Sequence, residues 1–426
     1  MQRSYLCIDL KSFFASVECV ERGLDPMKEN LVVADPSRGN GAICLAITPA
    51  MKKLGIANRC RIYEIPHNVK YITALPRMKK YIEYAAKIYS IYLRYISKDD
   101  IHPYSIDEMF LDVTSYLTMY NTTGENLAKA LVKRIYKELG LTATVGVGTN
   151  LFLSKVALDI CAKHSPDNIG YLDEDLFKKK MWKHRPLTDF WHIGSGTERR
   201  LNKLGLYTLK DVIYCDEEIL YKEFGINAEI LIDHSNGIEP VMISDIKSYK
   251  NKSHSISNSQ VLFEDYKPND ARLILKEMVE VLSLKLVDNN LVTNSISLFV
   301  GYSKDSHPYT GGMRKMTIRT NVFTKILPYF LELYDQTTAF DYMVRRIGIS
   351  FNNVYDESYE YYDLFTSYDE VIKERNLAKV INDIKRKYGK NSVLKGMNLE
   401  EKATTIIRNK LIGGHNAEEN DKTRKG

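Results

Sequence analysis

Two adjacent carboxylates, Asp107 and Glu108, interrupt the apolar run "YSIDEMFLDVT" between Tyr104 and Thr114, and a third, Asp9, ends the short apolar run "YLCIDL". Along an extended chain Met109, Leu111 and Val113 share one face while Phe110, Asp112 and Thr114 share the other, so Asp107 and Glu108 in one straight strand would point apart. They can serve one site only if the chain turns there, one strand ending near Ile106 and the next starting near Met109. A solvated hairpin tip is the alternative for an isolated Asp-Glu pair. Together the three acids are hard oxygen donors with no histidine or cysteine set beside them, the ligand type for Mg²⁺ rather than zinc. Two such ions about 3.5–4 Å apart activate an attacking hydroxyl and stabilise a leaving oxygen in phosphoryl transfer. A helix N-terminus over Lys11 to Phe14 would aim free backbone N–H groups at a triphosphate.

That chemistry needs a scaffold bringing residue 9 beside residues 107 and 108. "YLCIDL" reads as a buried strand, and Ser12 is the expected N-cap of a helix through "FFASVECVERGL". Strands "NLVVAD" and "AICLAI" flank the turn-rich "PSRGNG", and Pro49 opens the short basic helix "PAMKKLGI". The long amphipathic helix "PRMKKYIEYAAKIYSIYLRYI" leads into the Asp-Glu hairpin. Then come a helix around "ENLAKALVKRIYKEL", a strand "TATVGVG" and a helix opened by Asn150 in "NLFLSKVALDICAK". This order describes an α/β (α+β) layer, a mostly antiparallel sheet with helices on one face, in which Asp9 and the hairpin tip are neighbours.

Residues 172–240 read as a small helical region in which Gly194 and Gly196 of "HIGSGTERRLNKLGL" precede a helix. Residues 253–352 form a second unit of the order β-α-β-β-α-β. From 353 to 426 follow "YEYYDLF", the helix "SYDEVIKERNLAKVINDIKRKYG" and a polar tail after Gly413.

With 426 residues, 44% of them hydrophobic, the chain suffices for two to four domains at about 100–200 residues each. A net charge of +6 permits a nucleic-acid partner without demanding one. The six cysteines show neither a CxxC pair nor zinc-ligand spacing, which points to reduced thiols and a cytoplasmic location. The charged start of the chain does not read as a signal peptide, no apolar window is long enough to span a bilayer, and no membrane partner is expected.

"CIDLKSFFASVE", "YSIDEMFLDVT" and "TVGVGTNLFLSKVALDICAK", in this order and spacing, resemble the three palm motifs of Y-family translesion DNA polymerases, especially the UmuC-like branch of Gram-positive bacteria. The resemblance covers about residues 4 to 350, and "IRNKLIGGHN" near the C-terminus is similar to that branch too. It implies a multidomain right hand: a ferredoxin-like palm (1–18 and 78–171), small fingers (19–77), a helical thumb with a helix-hairpin-helix (172–240), a little finger (253–352) and a C-terminal extension (353–426). It implies template-directed, error-prone addition of deoxynucleotides (dNTPs) to a primer 3′-hydroxyl on primer-template DNA, with two Mg²⁺ ions, during DNA damage tolerance and the SOS response. Asp9, Asp107 and Glu108 become the metal ligands, with the Leu10 carbonyl completing one site.

The resemblance groups Phe13, Phe14, Thr48, Lys52, Ser105 and Lys155 around the incoming nucleotide. Phe14 matches the steric gate against a ribose 2′-hydroxyl. Neighbouring helix residues point about 100° apart, so Phe13 faces the core instead. Lys155 matches the lysine that reaches the triphosphate. Where the family commonly has Thr or Ser, then Tyr and Arg, this chain has Thr48, Pro49 and Lys52; Lys52 can act as a point charge but lacks the arginine fork. Lys11 replaces a frequent acidic residue and is left out of the ligand set.

Gly194 and Gly196 let backbone N–H groups approach a DNA phosphate. In the little finger, Lys315, Thr317, Arg319 and Asn321 alternate with Met316 and Ile318, and Arg346 and Ser350 share a face of the last strand, a pattern suited to gripping a duplex backbone without reading bases. Tyr361, Tyr362, Asp363, Leu364 and Phe365 resemble the sliding-clamp pentapeptide Gln-Leu-Ser/Asp-Leu-Phe, departing at its first two positions; accessory SOS proteins are further possible partners. A nucleotidyl cyclase with a similar palm would not need the helix-hairpin-helix or the basic sheet, and a non-catalytic scaffold at stalled forks would not need all three acids.

Overall fold

The computed structural model describes residues 2–250 and 255–418, so the expected domain limits at 1, 253 and 426 lie outside the described residues. Two compact units divide the chain: Met1–Tyr249 with His415–Gly426, and Lys250–Gly414.

The first unit opens with β1 (Tyr5–Leu10) and α1 (Phe13–Glu21), followed by β2 (Leu31–Val33), β3 (Ala46–Ile47), α2 (Pro49–Lys53) and β4 (Ile72–Ala74). Next come α3 (Met78–Tyr92), β5 (Ile101–Pro103), β6 (Glu108–Asp112), α4 (Thr114–Met119), α5 (Gly124–Leu139), β7 (Ala143–Gly148), α6 (Leu151–Val156) and β8 (Ile169–Leu172). Helices α7 (Glu174–Met181), α8 (Ser195–Lys203), α9 (Leu209–Ile213), α10 (Glu217–Phe224), α11 (Asn227–Ser235) and α12 (Ile243–Ser248) complete it.

The main sheet has the order β5-β6-β1-β7-β8, with β1 central and only the β7–β8 pair parallel. Its helices lie on both faces, not on one as the element order suggests. Leu6, Ile8, Leu10, Met109 and Leu111 share a core with residues of α1, α3 and α5. Tyr5, Cys7 and Phe110 face the other way and pack with Leu151, Leu158 and Ile243. "YLCIDL" has no polar alternation because both of its faces are covered. On the second face α6 comes very close to β7. A Cβ on Gly146 would lie 1.9 Å from the Ser154 carbonyl oxygen, and one on Gly148 would lie 2.2 Å from the Ser154 nitrogen. The glycines of "TVGVG" therefore set how near α6 lies to the sheet.

Asn150 caps α6 as expected, its Oδ1 accepting from Leu153 N at 2.8 Å. Ser12 does not cap α1: its φ is 48°, in the left-handed region, and its buried Oγ has no partner among the described residues. The smaller sheet has the order β3-β2-β4. Strand β3 is shorter than "AICLAI" implies, because Cys44 N donates instead to the Cys60 carbonyl at 2.8 Å. Strands β4 and β8 are too short to stand out in the sequence.

The second unit has the expected order: β9 (Ile256–Tyr266), α13 (Pro268–Asp288), β10 (Leu291–Tyr302), β11 (Thr310–Thr320), α14 (Phe323–Thr337) and β12 (Val344–Asp356), in an antiparallel sheet β11-β10-β12-β9. Helices α13 and α14 bury one face. Helix α15 (Tyr368–Tyr388) follows. Further on, Glu277 of α13, 1% exposed, takes hydrogen bonds from Asn398 Nδ2 (3.0 Å), Thr404 N (2.8 Å), Thr405 N (3.2 Å) and Thr404 Oγ1 (3.2 Å).

Candidate active site and nucleic-acid interface

Strand register brings the acids together. Asp9 stands directly opposite Glu108 in the β1–β6 ladder, so their side chains share a face. Between β5 and β6 the chain turns as the Asp-Glu pair requires: Tyr104 N and Ser105 N both donate to the Glu108 carbonyl at 3.0 Å. Ser105 braces the tip. Its Oγ donates to Asp107 Oδ1 at 2.7 Å and accepts from Glu108 N at 3.0 Å. Leu10 N donates to the Asp107 carbonyl at 3.0 Å, tying the end of β1 to the turn.

Burial and the neighbouring charges of Asp107 and Glu108 push the Asp9 carboxyl up from 3.8 to about 7. The close approach of α6 delivers Lys155, whose Nζ lies 2.8 Å from Glu108 Oε1 and 3.0 Å from Asp159 Oδ2. Burial alone would lower the Lys155 pKa, but Cys7, Glu108 and Asp159 outweigh it and raise it. Cys7 Sγ lies 3.1 Å from the same Glu108 oxygen, and burial, then that carboxylate, pushes the thiol well up. With Glu108 turned onto Lys155, no group of three or more His, Cys, Asp or Glu side chains among the described residues is closed up as a metal cage.

Phe14, in the first turn of α1 five residues after Asp9, is half-buried and stacks on Tyr81, ring centroids 4.5 Å apart. Partial burial, followed by the like charge of Lys163, lowers the Lys52 pKa, while Asp9 and Asp107 pull it back up, so Lys52 is within electrostatic reach of the acids. Lys11 hydrogen-bonds Asn168. Two residues grouped with the nucleotide are buried, which for Phe13 is the core-facing position expected from helix geometry. Phe13 is 2% exposed and belongs to the core. Thr48 is fully buried, and its Oγ1 accepts from Leu31 N at 3.2 Å, so its hydroxyl serves the fold. Tyr81 escaped notice because a tyrosine at a helical core position signals only packing.

Gly194 caps α8 and Gly196 lies in its first turn, with nothing within 4 Å of where a Cβ would be, so the backbone there is open to approach. In the second unit Lys315 and Thr317 are exposed, and Thr317 Oγ1 is 2.8 Å from Tyr329 Oη. Arg319 is half-buried and engaged within the second unit. Its guanidinium lies over the rings of Tyr355 (4.1 Å) and Tyr361 (5.0 Å), and Nη1 donates to the Tyr359 carbonyl at 3.1 Å. Asn321 is likewise buried, donating to the Leu291 carbonyl and Glu357 and accepting from Arg375. Arg346 remains exposed over the Phe299 ring, at the edge of a shallow groove lined by Ser257, Ser259, Ser297 and Ser350. Those serines recur at alternate positions in "SISNS" and "NSIS", a signal the charged residues overshadowed.

In the segment Tyr361–Phe365, Tyr361 pairs with Arg319 through its backbone, and Tyr362 Oη meets Thr320 Oγ1 at 3.1 Å. Asp363 Oδ1 accepts from Phe365 N at 3.2 Å and from Thr366 Oγ1 at 2.7 Å. Leu364 is 100% exposed and Phe365 95%.

A model of the impB/mucB/samB family matches residues 8–159, and one of the impB/mucB/samB family C-terminal domain matches residues 253–364. The UvrX protein of Bacillus subtilis (strain 168) is 32% identical over 97% of this chain and 98% of its own length. The chain belongs to the impB/mucB/samB family. Another relative, the protein named DNA polymerase IV 2 of Bacillus subtilis (strain 168), is 29% identical over 96% of this chain and 97% of its own. A solved Y-family DNA polymerase chimera of Dbh and Dpo4 aligns with a TM-score of 0.64 at 21% identity, covering 83% of this chain and 99% of that one. This impB/mucB/samB chain thus has the Y-family polymerase fold, a membership consistent with use of a divalent metal and with binding of primer-template DNA and dNTP. No helix among its described residues is long and apolar enough to cross a membrane.

Proposed function

We propose that this protein is a DNA-directed DNA polymerase of the translesion type, carrying its site on β1, β6 and α6. The observation that supports this best is the register of Asp9 against Glu108, with Asp107 in the adjoining turn and Lys155 above them. The primer 3′-hydroxyl attacks the α-phosphate of a bound dNTP, forming the new P–O bond as pyrophosphate leaves. Phe14 closes the space beside the sugar C2′ and excludes ribonucleotides. Lys155 and Lys52 carry positive charge toward the triphosphate, and Ser105 holds the turn that aims Asp107.

The donor chemistry fits Mg²⁺. All three acids offer oxygen ligands; burial first, and then the charges of Asp107 and Glu108, raise the Asp9 pKa, and a divalent cation would relieve that repulsion. Asp9, Asp107, Glu108 and the Leu10 carbonyl would hold two such ions. When bound, they supply charge stabilisation and an activated hydroxyl. To take this role Glu108 would have to leave its contact with Lys155.

The palm comprises residues 1–18 and 78–171, and the fingers 19–77. The thumb, 172–240, grips phosphate at Gly194 and Gly196. The little finger, 253–352, tracks the duplex with Lys315, Thr317 and Arg346 beside its serine-lined face. Residues 361–365 present Leu364 and Phe365 to a sliding clamp, and the protein works in the cytoplasm with accessory SOS proteins. Primer extension with each dNTP, comparing the intact chain with Asp107→Ala, tests the assignment; no metal-dependent extension by the folded intact chain overturns it.

A further inference from the structure

A chain of aromatic contacts runs between the helical segment and the Asp107–Glu108 turn. Trp191 immediately precedes "HIGSG", three residues before Gly194. Its indole Nε1 donates to Tyr104 Oη at 3.1 Å. The two rings meet edge to face at 5.8 Å, and each also contacts Phe110 of β6, Tyr104 at 5.6 Å and Trp191 at 5.6 Å. Tyr104 is the residue whose N–H closes the turn onto the Glu108 carbonyl, and Lys155 Nζ lies 6.0 Å from the Tyr104 ring centre. Trp191 therefore touches both the core behind Cys7 and the core of the helical segment.

A second observation comes from the same loop. His192, between Trp191 and the glycine turn, has φ 69°, in the left-handed region that a residue with a Cβ rarely adopts. Such a conformation persists where the surroundings over-determine it, and such positions cluster at functional sites. Here the indole is fixed on one side by Tyr104 and Phe110, and Ile193 on the other is buried in the helical core.

We infer that Trp191 is a positioning residue for nucleotidyl transfer, acting through Tyr104: the loop that meets the DNA phosphate and the turn that carries Asp107 and Glu108 are held in register by one hydrogen bond and one aromatic cluster. This rests on the polymerase assignment above. A grip on the primer-template at Gly194 and Gly196 is transmitted along three residues of chain to the indole, and from it to the phenol that backs the turn. The contact touches no reacting atom. It sets the rate of the chemical step in the DNA complex, not the affinity for DNA or dNTP.

Trp191→Phe keeps a ring and removes the donor, while Tyr104→Phe keeps the ring and removes the acceptor. Each is expected to slow single-turnover insertion at saturating dNTP about threefold to tenfold, with dNTP KM and primer-template Kd within about twofold. Because both delete the same bond, the double variant should be no slower than the slower single one. Single variants as fast as the parent, or effects that multiply in the double variant, overturn the inference. The chain has two tryptophans, so Trp182→Phe leaves Trp191 as the sole indole. Its emission should shift on adding primer-template, and the shift should shrink in Tyr104→Phe; emission indifferent to DNA also overturns the inference. If the folded intact chain extends no primer, the polymerase assignment fails instead, and the emission arm still tests the contact.

Discussion

The ring of Phe14 lies almost flat on that of Tyr81, centroids 4.5 Å apart and planes 19° apart. Tyr81 is itself fully buried and donates its hydroxyl to Glu18 Oε1 at 2.7 Å, while Arg77 Nη2 holds the other Glu18 oxygen at 2.8 Å. The proposed gate thus has a rigid backing. Phe14→Ala is expected to raise ribonucleotide insertion about tenfold or more while largely preserving deoxynucleotide insertion, since only the wall beside C2′ is removed. Tyr81→Phe retains the backing ring and should retain discrimination, at a stability cost of about 1 kcal/mol for the lost hydrogen bond. Insertion assays with paired dNTP and NTP, alongside thermal unfolding, check both; an unchanged ribonucleotide preference in Phe14→Ala removes that residue from the site.

Lys155 has two carboxylate partners within 3.0 Å, Glu108 and Asp159. Lys155→Ala is expected to raise the dNTP KM about tenfold and to leave primer-template affinity within about twofold, because under the proposed assignment the lost charge would face the triphosphate and not the duplex. Asp159→Asn frees Lys155 from one anchor only and should have the smaller effect. Steady-state insertion kinetics and DNA titration distinguish these outcomes, and an unaltered dNTP KM in Lys155→Ala rejects its assignment to the triphosphate.

The elevated Asp9 pKa has a defined sign. Below about 7 the metal-free chain keeps that proton, and cation binding must expel it. Mg²⁺ affinity should therefore fall as pH drops from about 8 to 6, with up to about one proton released per binding event at the acid end. By the same linkage, a folded pKa raised above 3.8 stabilises the metal-free fold below about 4, and that contribution is lost as pH rises through about 7. Titration calorimetry in two buffers of different ionisation enthalpy measures the released proton. Affinity independent of pH between 6 and 8 argues against Asp9 as a ligand.

Leu364 and Phe365 are 100% and 95% exposed, so neither packs on the second unit. The double change Leu364→Ala and Phe365→Ala should leave the melting temperature within about 1 °C and primer extension without a clamp unaltered, while abolishing measurable clamp binding. A clamp titration in which the variant binds like the parent moves the contact elsewhere.

The three acids were legible as a candidate site because oxygen donors at strand ends suit Mg²⁺, although an isolated Asp-Glu pair reads equally as a solvated hairpin tip and only the three motifs together single it out. The β-α-β-β-α-β unit was legible because its four strands and two helices are long. What escaped depends on residues distant in sequence. "YLCIDL" cannot show that α6 covers its second face, since a fully apolar strand looks the same whichever element lies above it. Arg319 reads as an open cation until Tyr355 and Tyr361, 36 and 42 residues later, fold over it. Trp191 reads as an ordinary core ring, and only the approach of Tyr104 from 87 residues away gives its indole N–H a task.

The carboxylate of Glu277 gives the last stretch of chain a bearing on modularity. The matched C-terminal domain ends at residue 364, yet the hydrogens that satisfy Glu277 come from Asn398, Thr404 and Thr405. Cutting the chain at the domain limit would remove all of these donors together with the segment that covers Glu277, opening this part of α13 to solvent. The late segment through Thr405 is thus part of the second unit's packing, and a fragment or a module exchanged between relatives is expected to be more stable when it travels along.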